Sequence, residues 1–109
     1  MSTVNAFTPK GQSYLVTTAS VQIKTQDNVS AVSYRVVNTT TSTVTLNWLP
    51  ADPLGASVTV AAPTVPTAGS PSTSLTFLAG AVEVVGLPPN VWLRADVATS
   101  LLVTPGEGI

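Results

Sequence analysis

Short runs of β-branched residues, separated by turn-forming residues, constrain the fold of this chain more than any other feature. Val and Thr dominate the runs, and nine prolines and seven glycines interrupt them. β-Branched side chains fit the pleated surface of a sheet but lose rotamer freedom in a helix, and Pro and Gly disfavour helices. The sequence therefore predicts an all-β chain. Strands are expected near residues 13–18, 20–25, 31–38, 44–49, 57–61, 74–78, 81–86, 91–97 and 101–104.

About eight short strands in 109 residues predict one domain, residues 1–109, built as an antiparallel two-sheet β-sandwich or jelly roll. Residues 1–11 and 104–109 are expected to be extended terminal arms. Residues 61–74 form a long loop rich in Pro, Thr and Ser, and its prolines favour an extended course. A loop of this length in a small domain is usually functional or disordered.

Alternation of apolar and polar residues predicts a first group of paired strands. With residues 39–43 as a hairpin loop, Val36 lies opposite Leu46 and Tyr34 lies opposite Trp48. A turn at residues 26–29, built around Asp27-Asn28, adds the preceding strand as a meander. The residues predicted to face the core are Val21, Ile23, Val32, Tyr34, Val36, Leu46 and Trp48.

A second hairpin is predicted with residues 87–90 as its turn. This register places Glu83 opposite Arg94 as a cross-strand ion pair, and Val85 opposite Trp92. The predicted core face carries Val82, Val84, Leu93, Ala95 and Val97, and the other face carries Glu83, Val85, Trp92, Arg94 and Asp96.

Trp92 is the side chain singled out on that second face. Trp and Arg are enriched at binding hot spots, so Trp92 with Arg94 beside it fits an interface anchor. The indole is equally well explained as a ring covered by the chain's own N-terminal arm or by Phe7. Both interpretations stay open from the sequence.

The exterior of this fold must be nearly uncharged. The chain has four basic and five acidic side chains, and neither His nor Cys. Two interpretations fit so few charges: Thr and Ser hydroxyls keep the surface hydrated, or other protein covers the surface, where sparse charge lowers the desolvation cost.

Several classes of partner are disfavoured. Four scattered basic residues are too few to neutralise a row of phosphates, so no nucleic-acid partner is expected. No apolar run approaches the roughly 18 to 20 residues that span a bilayer, and the N-terminus lacks the pattern of a signal peptide, so neither a membrane partner nor export is expected. The absence of Cys fits a reducing compartment.

No catalytic residue, cofactor or metal site is predicted. Without His or Cys, neither a Ser-His-Asp nor a Cys-His arrangement exists. Glu83 and Asp96 near Arg94 are explained by a surface ion-pair group rather than by a pair of catalytic carboxylates. A calcium site would have to bring together the oxygen-bearing residues Asp27, Asn28, Asp52 and Glu107, most of which turns explain.

The small size, the lack of Cys and His, the Pro/Thr/Ser-rich middle loop and the ending Leu101-Leu-Val-Thr-Pro-Gly-Glu-Gly-Ile109 resemble small bacteriophage virion proteins of the capsid decoration or cement kind. The resemblance covers the whole chain in composition and layout and includes no signature motif. It implies a non-enzymatic protein made in the host cytoplasm and carried on the outer capsid surface of the virion. Its implied partners are copies of itself, with a trimer favoured, and the major capsid protein.

We expect such a protein to bind through side chains on the second hairpin and through its extended segments. The expected interface residues are Trp92, Val85, Arg94 and Glu83, together with Pro63, Pro66 and Pro71 of the middle loop. Two alternatives remain: another phage component, such as a head-tail, tail or fibre-base protein, or a carbohydrate- or receptor-binding β module whose aromatic rings stack on sugars.

Overall fold

The computed structural model describes residues 6–26 and 29–108, and this part of the chain contains nine strands and no helix. The strands are β1 (Thr8–Pro9), β2 (Tyr14–Val16), β3 (Val21–Gln22), β4 (Ser33–Asn38), β5 (Val44–Leu49), β6 (Leu75–Phe77), β7 (Val82–Gly86), β8 (Trp92–Ala95) and β9 (Leu101–Glu107). The all-β prediction is confirmed. A helix long and apolar enough to cross a membrane does not occur among the described residues.

The strands form two antiparallel sheets, as predicted. Sheet A has the order β1-β9-β4-β7, and β2 pairs with β9 beside β1. Sheet B has the order β3-β8-β5-β6. Side chains from the inner faces of both sheets make one core, as expected when two sheets pack face to face. The largest fully buried members are Tyr34, Phe77, Ile23, Leu46, Leu93 and Leu101.

The strand pairing is that of one long hairpin wound on itself. β5 pairs with β6, β4 with β7, β3 with β8 and β2 with β9. Contacts of β4 with β9 and of β5 with β8 close this winding into the arrangement of a jelly roll. Between β2 and β9, every connection except the one from β5 to β6 therefore crosses from one sheet to the other.

Both predicted hairpins are wrong because their strands lie in different sheets. β4 belongs to sheet A and β5 to sheet B, so the pairs Val36–Leu46 and Tyr34–Trp48 do not form. β7 pairs with β4 instead of β8, and β3 pairs with β8 instead of joining a meander. Alternation shows which side chains point inward. Inward side chains meet as readily across two sheets as between neighbouring strands.

The face of β7 is also the reverse of the prediction. Val85 lies opposite Tyr34 and packs against the core, whereas Val82 is 53% exposed. Three valines among four residues give no alternation that a sequence argument can use. Val32, predicted to be in the core, is 57% exposed.

Two polar side chains on the inner face of β4 hold the crossing connections at its ends. The Tyr34 hydroxyl donates to the Pro88 carbonyl (2.7 Å), between β7 and β8, and its burial raises the pKa of the phenol. Asn38 Nδ2 donates to the carbonyls of Ser42 (2.9 Å), Phe77 (3.1 Å) and Leu78 (3.0 Å). These bonds tie β4 to the connections that cross between the two sheets.

Parts of the predicted arms are paired within the chain. Residues 104–107 belong to β9, and β1 pairs with that same end of β9, so unpaired arms are wrong for these residues. The strand predicted at 57–61 does not form. Residues 1–5, 27, 28 and 109 lie outside the described residues, and with them part of each arm and the predicted Asp27-Asn28 turn. Val29 N–H donates to the Gln26 carbonyl (3.1 Å).

Candidate functional site

A row of apolar side chains crosses the outer face of sheet A. Leu15 on β2 lies opposite Leu102 on β9, Leu102 lies opposite Val37 on β4, and Val37 lies opposite Val82 on β7. Leu15 is 45%, Leu102 38% and Val82 53% exposed, and Val37 is half-buried. We call these four residues the apolar row.

The row follows from alternation along each strand. On β4, Tyr34, Val36 and Asn38 are buried, so Arg35 and Val37 project from the outer face. On β9, buried Leu101 and Val103 place Leu102 outside. These outer positions therefore carry Leu and Val where an antiparallel sheet facing water ordinarily carries polar residues.

A cleft of about 380 Å³ lies beside the apolar row. It is lined by Phe7, Pro9, Gly11, Ser13, Arg35 and Thr104. The hydroxyls of Ser13 and Thr104 are hydrogen-bonded to each other (2.6 Å), and the exposed Arg35 lies opposite Thr104 in the sheet. The cleft therefore joins one cation, two hydroxyls and an aromatic ring.

Gly106 allows the N-terminal segment to form one wall of this cleft. A Cβ at this position would lie 2.5 Å from Phe7 Cζ and would collide with the Thr8 carbonyl. The Lys10 ammonium and the Glu107 carboxylate form an ion pair (3.0 Å) nearby, and Lys10 N–H donates to the Pro105 carbonyl (2.8 Å). An ion pair this exposed contributes at most about 1 kcal/mol, so the glycine and the backbone pairing place the segment.

The outer face of sheet B, in contrast, is partly covered by the chain itself. The β5–β6 connection, residues 50–74, crosses this face and buries Val60 completely, although Val60 is not part of the core between the sheets. Arg94 Nη1 donates to the Val60 carbonyl (3.0 Å), and Asn47 Nδ2 donates to the Ala61 carbonyl (3.1 Å). Val60 N–H donates to Ser20 Oγ (2.8 Å).

The Pro-rich part of the connection contains a hydrogen-bonded turn and is tied back to sheet B. Thr67 and Ser70 exchange two backbone hydrogen bonds (3.1 and 2.9 Å) and close a turn at Gly69, whose φ is +78°. Thr73 Oγ1 donates to Asn47 Oδ1 (2.8 Å) and ties the returning chain to sheet B. Of the three prolines predicted at an interface, Pro63 is half-buried, and Pro66 and Pro71 are exposed.

The structure separates the four side chains predicted to form an interface. Val85 faces the core and Glu83 is exposed on β7, whereas Trp92 and Arg94 project from the outer face of sheet B. The predicted Glu83–Arg94 ion pair is wrong, because β7 and β8 lie in different sheets. Phe7 lies on sheet A against Gly106, so Phe7 does not cover Trp92.

Trp92 and Arg94 are half-buried beside the β5–β6 connection. In the sheet, Trp92 lies between Gln22 and Leu49, and Arg94 lies opposite Asn47. The buried Trp92 Nε1 and Arg94 Nε make no hydrogen bond within the described part of the chain. The Nη1 group of Arg94, in contrast, donates to the Val60 carbonyl within the chain.

The carboxylates on this side of the molecule have structural roles. Asp96 Oδ1 accepts from Thr45 N–H (2.9 Å), and Asp52 Oδ2 accepts from Leu54 N–H (2.9 Å) and Ala56 N–H (3.2 Å). Within residues 6–26 and 29–108, no three Asp or Glu side chains come together as metal ligands would.

Sequence reasoning missed the apolar row. Its members were spread over four strands, and only the pairing of β9 with both β2 and β4 brings them into line. One signal was present: Leu15, Val37 and Leu102 each stand next to a core position and carry no charge.

Comparison with protein-family models, curated proteins and solved structures found no significant match to this chain.

Proposed function

We propose that this chain is a non-enzymatic structural protein of a bacteriophage particle, of the capsid decoration or cement kind. It associates with copies of itself and attaches to the major capsid lattice through the outer face of sheet A. The apolar row carries this proposal, because it is an apolar surface that residues 6–26 and 29–108 leave exposed, in a molecule with only nine charged side chains.

Burial of the apolar row favours adhesion over a broad, flat contact. The three most exposed members would each contribute about 1 kcal/mol on burial, since complete burial of a Leu or Val side chain contributes roughly 1.5 to 3 kcal/mol. That is weak for one copy. Many copies on one shell, each held by a second contact, bind with large avidity.

The strand arrangement is compatible with this role without demanding it. Jelly rolls occur in viral capsid proteins, in lectins and in other proteins, so the arrangement by itself does not select a function. The scarcity of charge adds support, because a surface with few ionised groups loses little solvation free energy when another protein covers it.

The proposal is tested by counting copies of the chain in purified phage particles by quantitative mass spectrometry. Hundreds of copies per particle, lost on mild detergent or salt treatment while the shell stays intact, would agree with decoration. About a dozen copies would assign the chain to a head-tail or tail position instead. Its absence from particles would overturn the proposal.

A carbohydrate-binding module is the second candidate, and the cleft beside Arg35 favours it. A guanidinium, two hydroxyls and the Phe7 ring in a volume of about 380 Å³ match the groups that hold an acidic sugar. A glycan array with the purified chain distinguishes the two candidates. Binding that Arg35→Gln abolishes would support the module.

A further inference from the structure

The outer edge of β7 differs from the other three sheet edges of the described chain. β3 has two residues and β6 has three, and the edge formed by β1 and β2 is broken between residues 9 and 14. Short or interrupted edges are a common protection against unwanted strand pairing. β7 presents five continuous residues, Val82–Gly86, and so lacks this protection.

The backbone of β7 has donors and acceptors that point away from sheet A. Asn38 N–H donates to the Ala81 carbonyl (2.9 Å) and Leu87 N–H donates to the Val32 carbonyl (3.0 Å). In the alternating pattern of an antiparallel ladder, Glu83 and Val85 then bond to β4. The N–H and C=O groups of Val82, Val84 and Gly86 point outward, and no hydrogen bond between described residues uses them.

The side chains of this edge do little to discourage pairing. Residues 81–86 contain neither Lys nor Pro, the residues that most often block an edge strand. The strand carries one charge, on Glu83. Val82 is 53% exposed and forms the end of the apolar row at this edge.

We propose that β7 pairs with β7 of a second copy, antiparallel and about a twofold axis that passes beside Val84. In this register Val84 lies opposite the partner's Val84, and Val82 lies opposite the partner's Gly86. The outward groups of three residues on each strand then bond to one another. This pairing would be the contact through which the chain self-associates, and to that extent it rests on the proposed function. It predicts a twofold dimer in place of a trimer.

A second copy fits this edge better than an unrelated strand because of the apolar row. A twofold axis perpendicular to a continuous sheet puts both outer faces on the same side. The two rows then face one surface together, joined at the centre by the two Val84 side chains. One dimer would therefore present twice the adhesive area to a capsid lattice.

Glu83 sets the strength of this contact. In the proposed register the two Glu83 carboxylates lie on the same side of the joined sheet, two residues out of register, where their repulsion weakens the dimer. Glu83→Gln is therefore expected to tighten the dimer several-fold at low salt. A contact made elsewhere on the molecule would not respond in this way.

Cysteine cross-linking tests the register directly, because the chain has no Cys of its own. Opposed residues of a hydrogen-bonded antiparallel pair have Cα atoms about 5.5 Å apart, within the range of a disulfide. Val84→Cys should therefore form a covalent dimer under mild oxidation. Two control variants should not form this covalent dimer. Val82→Cys tests a position that lies far from its own symmetry mate, and Leu54→Cys tests a position that is 95% exposed on the β5–β6 connection beside sheet B.

The outcomes separate this inference from the proposed function. Rapid cross-linking at position 84 alone, with a tighter Glu83→Gln dimer in sedimentation velocity, supports the β7 pair even if the chain proves absent from phage particles. Equal cross-linking at positions 82 or 54, or none at position 84, overturns the β7 pair, while hundreds of copies per particle would leave the decoration proposal standing.

Discussion

The outer faces of the two sheets differ in how far the chain itself covers them. On sheet B, the β5–β6 connection buries Val60 and bonds to Arg94 and Asn47. On sheet A, the apolar row stays exposed among the described residues, and the cleft wall from Phe7 to Gly11 lies beside it. The comparison shows that this molecule packs its own chain against one outer face and leaves apolar side chains exposed on the other among the described residues.

The location of the longest connection explains the difference. The wound hairpin turns between β5 and β6, both in sheet B, and the described chain places its longest non-strand segment there. That segment returns to the sheet it came from and covers it. The shorter crossing connections pass from one sheet to the other, and their described residues leave the apolar row on the outer face of sheet A exposed.

The largest loss of stability is expected at Asn38, where β4 bonds to the connections that cross between the sheets. These crossings place β4 and β5 in different sheets and so determine which outer face each strand belongs to. Asn38 is 1% exposed, and its amide bonds to three carbonyls and to Thr40. Asn38→Leu should lower the free energy of unfolding by about 3 kcal/mol, since several buried polar groups lose their partners. Urea denaturation measures it. Asn47→Leu, on the outer face, is the matched control with a smaller loss, and equal losses would contradict the role given to Asn38.

The next effect concerns the closed face. Val60→Ala removes two methyl groups from a fully buried side chain and should cost about 2 kcal/mol. It should also speed proteolysis within residues 50–74. Val65→Ala, in the same connection but 66% exposed, should change stability by less than about 0.5 kcal/mol. If Val60→Ala behaves like Val65→Ala, the connection does not close this face.

A smaller, pH-dependent effect is expected at Tyr34, which holds the β7–β8 crossing. Tyr34→Phe loses the bond to the Pro88 carbonyl and should cost about 1 kcal/mol at neutral pH. Burial raises the pKa of the Tyr34 phenol, so the folded chain keeps a proton that the unfolded chain releases near pH 10. Stability from this group is therefore present below about pH 10 and falls as the pH rises further.

Unfolding measured from pH 8 to pH 11 for both proteins isolates that contribution. The wild-type chain should lose more stability above pH 10 than Tyr34→Phe does. Parallel curves for the two proteins would show that the phenol does not contribute.

The smallest effect on stability, and a large one on association, is expected on the open face. Leu15→Thr with Leu102→Thr should lower the free energy of unfolding by no more than about 1 kcal/mol in total, because both side chains are already partly exposed and Thr keeps one methyl group. The double variant should lose binding to capsid particles in a pelleting assay.

The matched control changes two leucines on the side of sheet B. Leu49→Thr with Leu54→Thr changes side chains that are 39% and 95% exposed. It should keep particle binding. Equal retention by both double variants would remove the distinction between the two faces.

Much of the local structure could be predicted from the sequence. Strands near 31–38 and 44–49 form at residues 33–38 and 44–49, and Ile23, Tyr34, Val36 and Leu46 are buried as expected. Alternation over six residues is enough to fix which side of a strand is apolar. The same information failed for β7, where Val82, Val84 and Val85 leave the inner side undefined.

The candidate site could not be predicted in the same way. Trp92 and Arg94 were recognised as outward-facing, but the segment that bonds to Arg94 and to its neighbour Asn47 comes from residues 50–74, and only the tertiary structure brings it there. The expected cluster of Glu83, Val85, Trp92 and Arg94 required β7 and β8 to be neighbours. They are consecutive in the chain but lie in separate sheets.

The sequence by itself determined that this protein is built of short strands with few charged side chains, because residue type and spacing act through local sterics and burial. Only the tertiary structure decided which strands are neighbours, and hence which face is covered and which edge is open. Local alternation is satisfied equally by a hairpin and by a crossing between sheets. At the crossings, hydrogen bonds from Tyr34 to the Pro88 carbonyl and from Asn38 to the Phe77 carbonyl join residues that are far apart in the sequence.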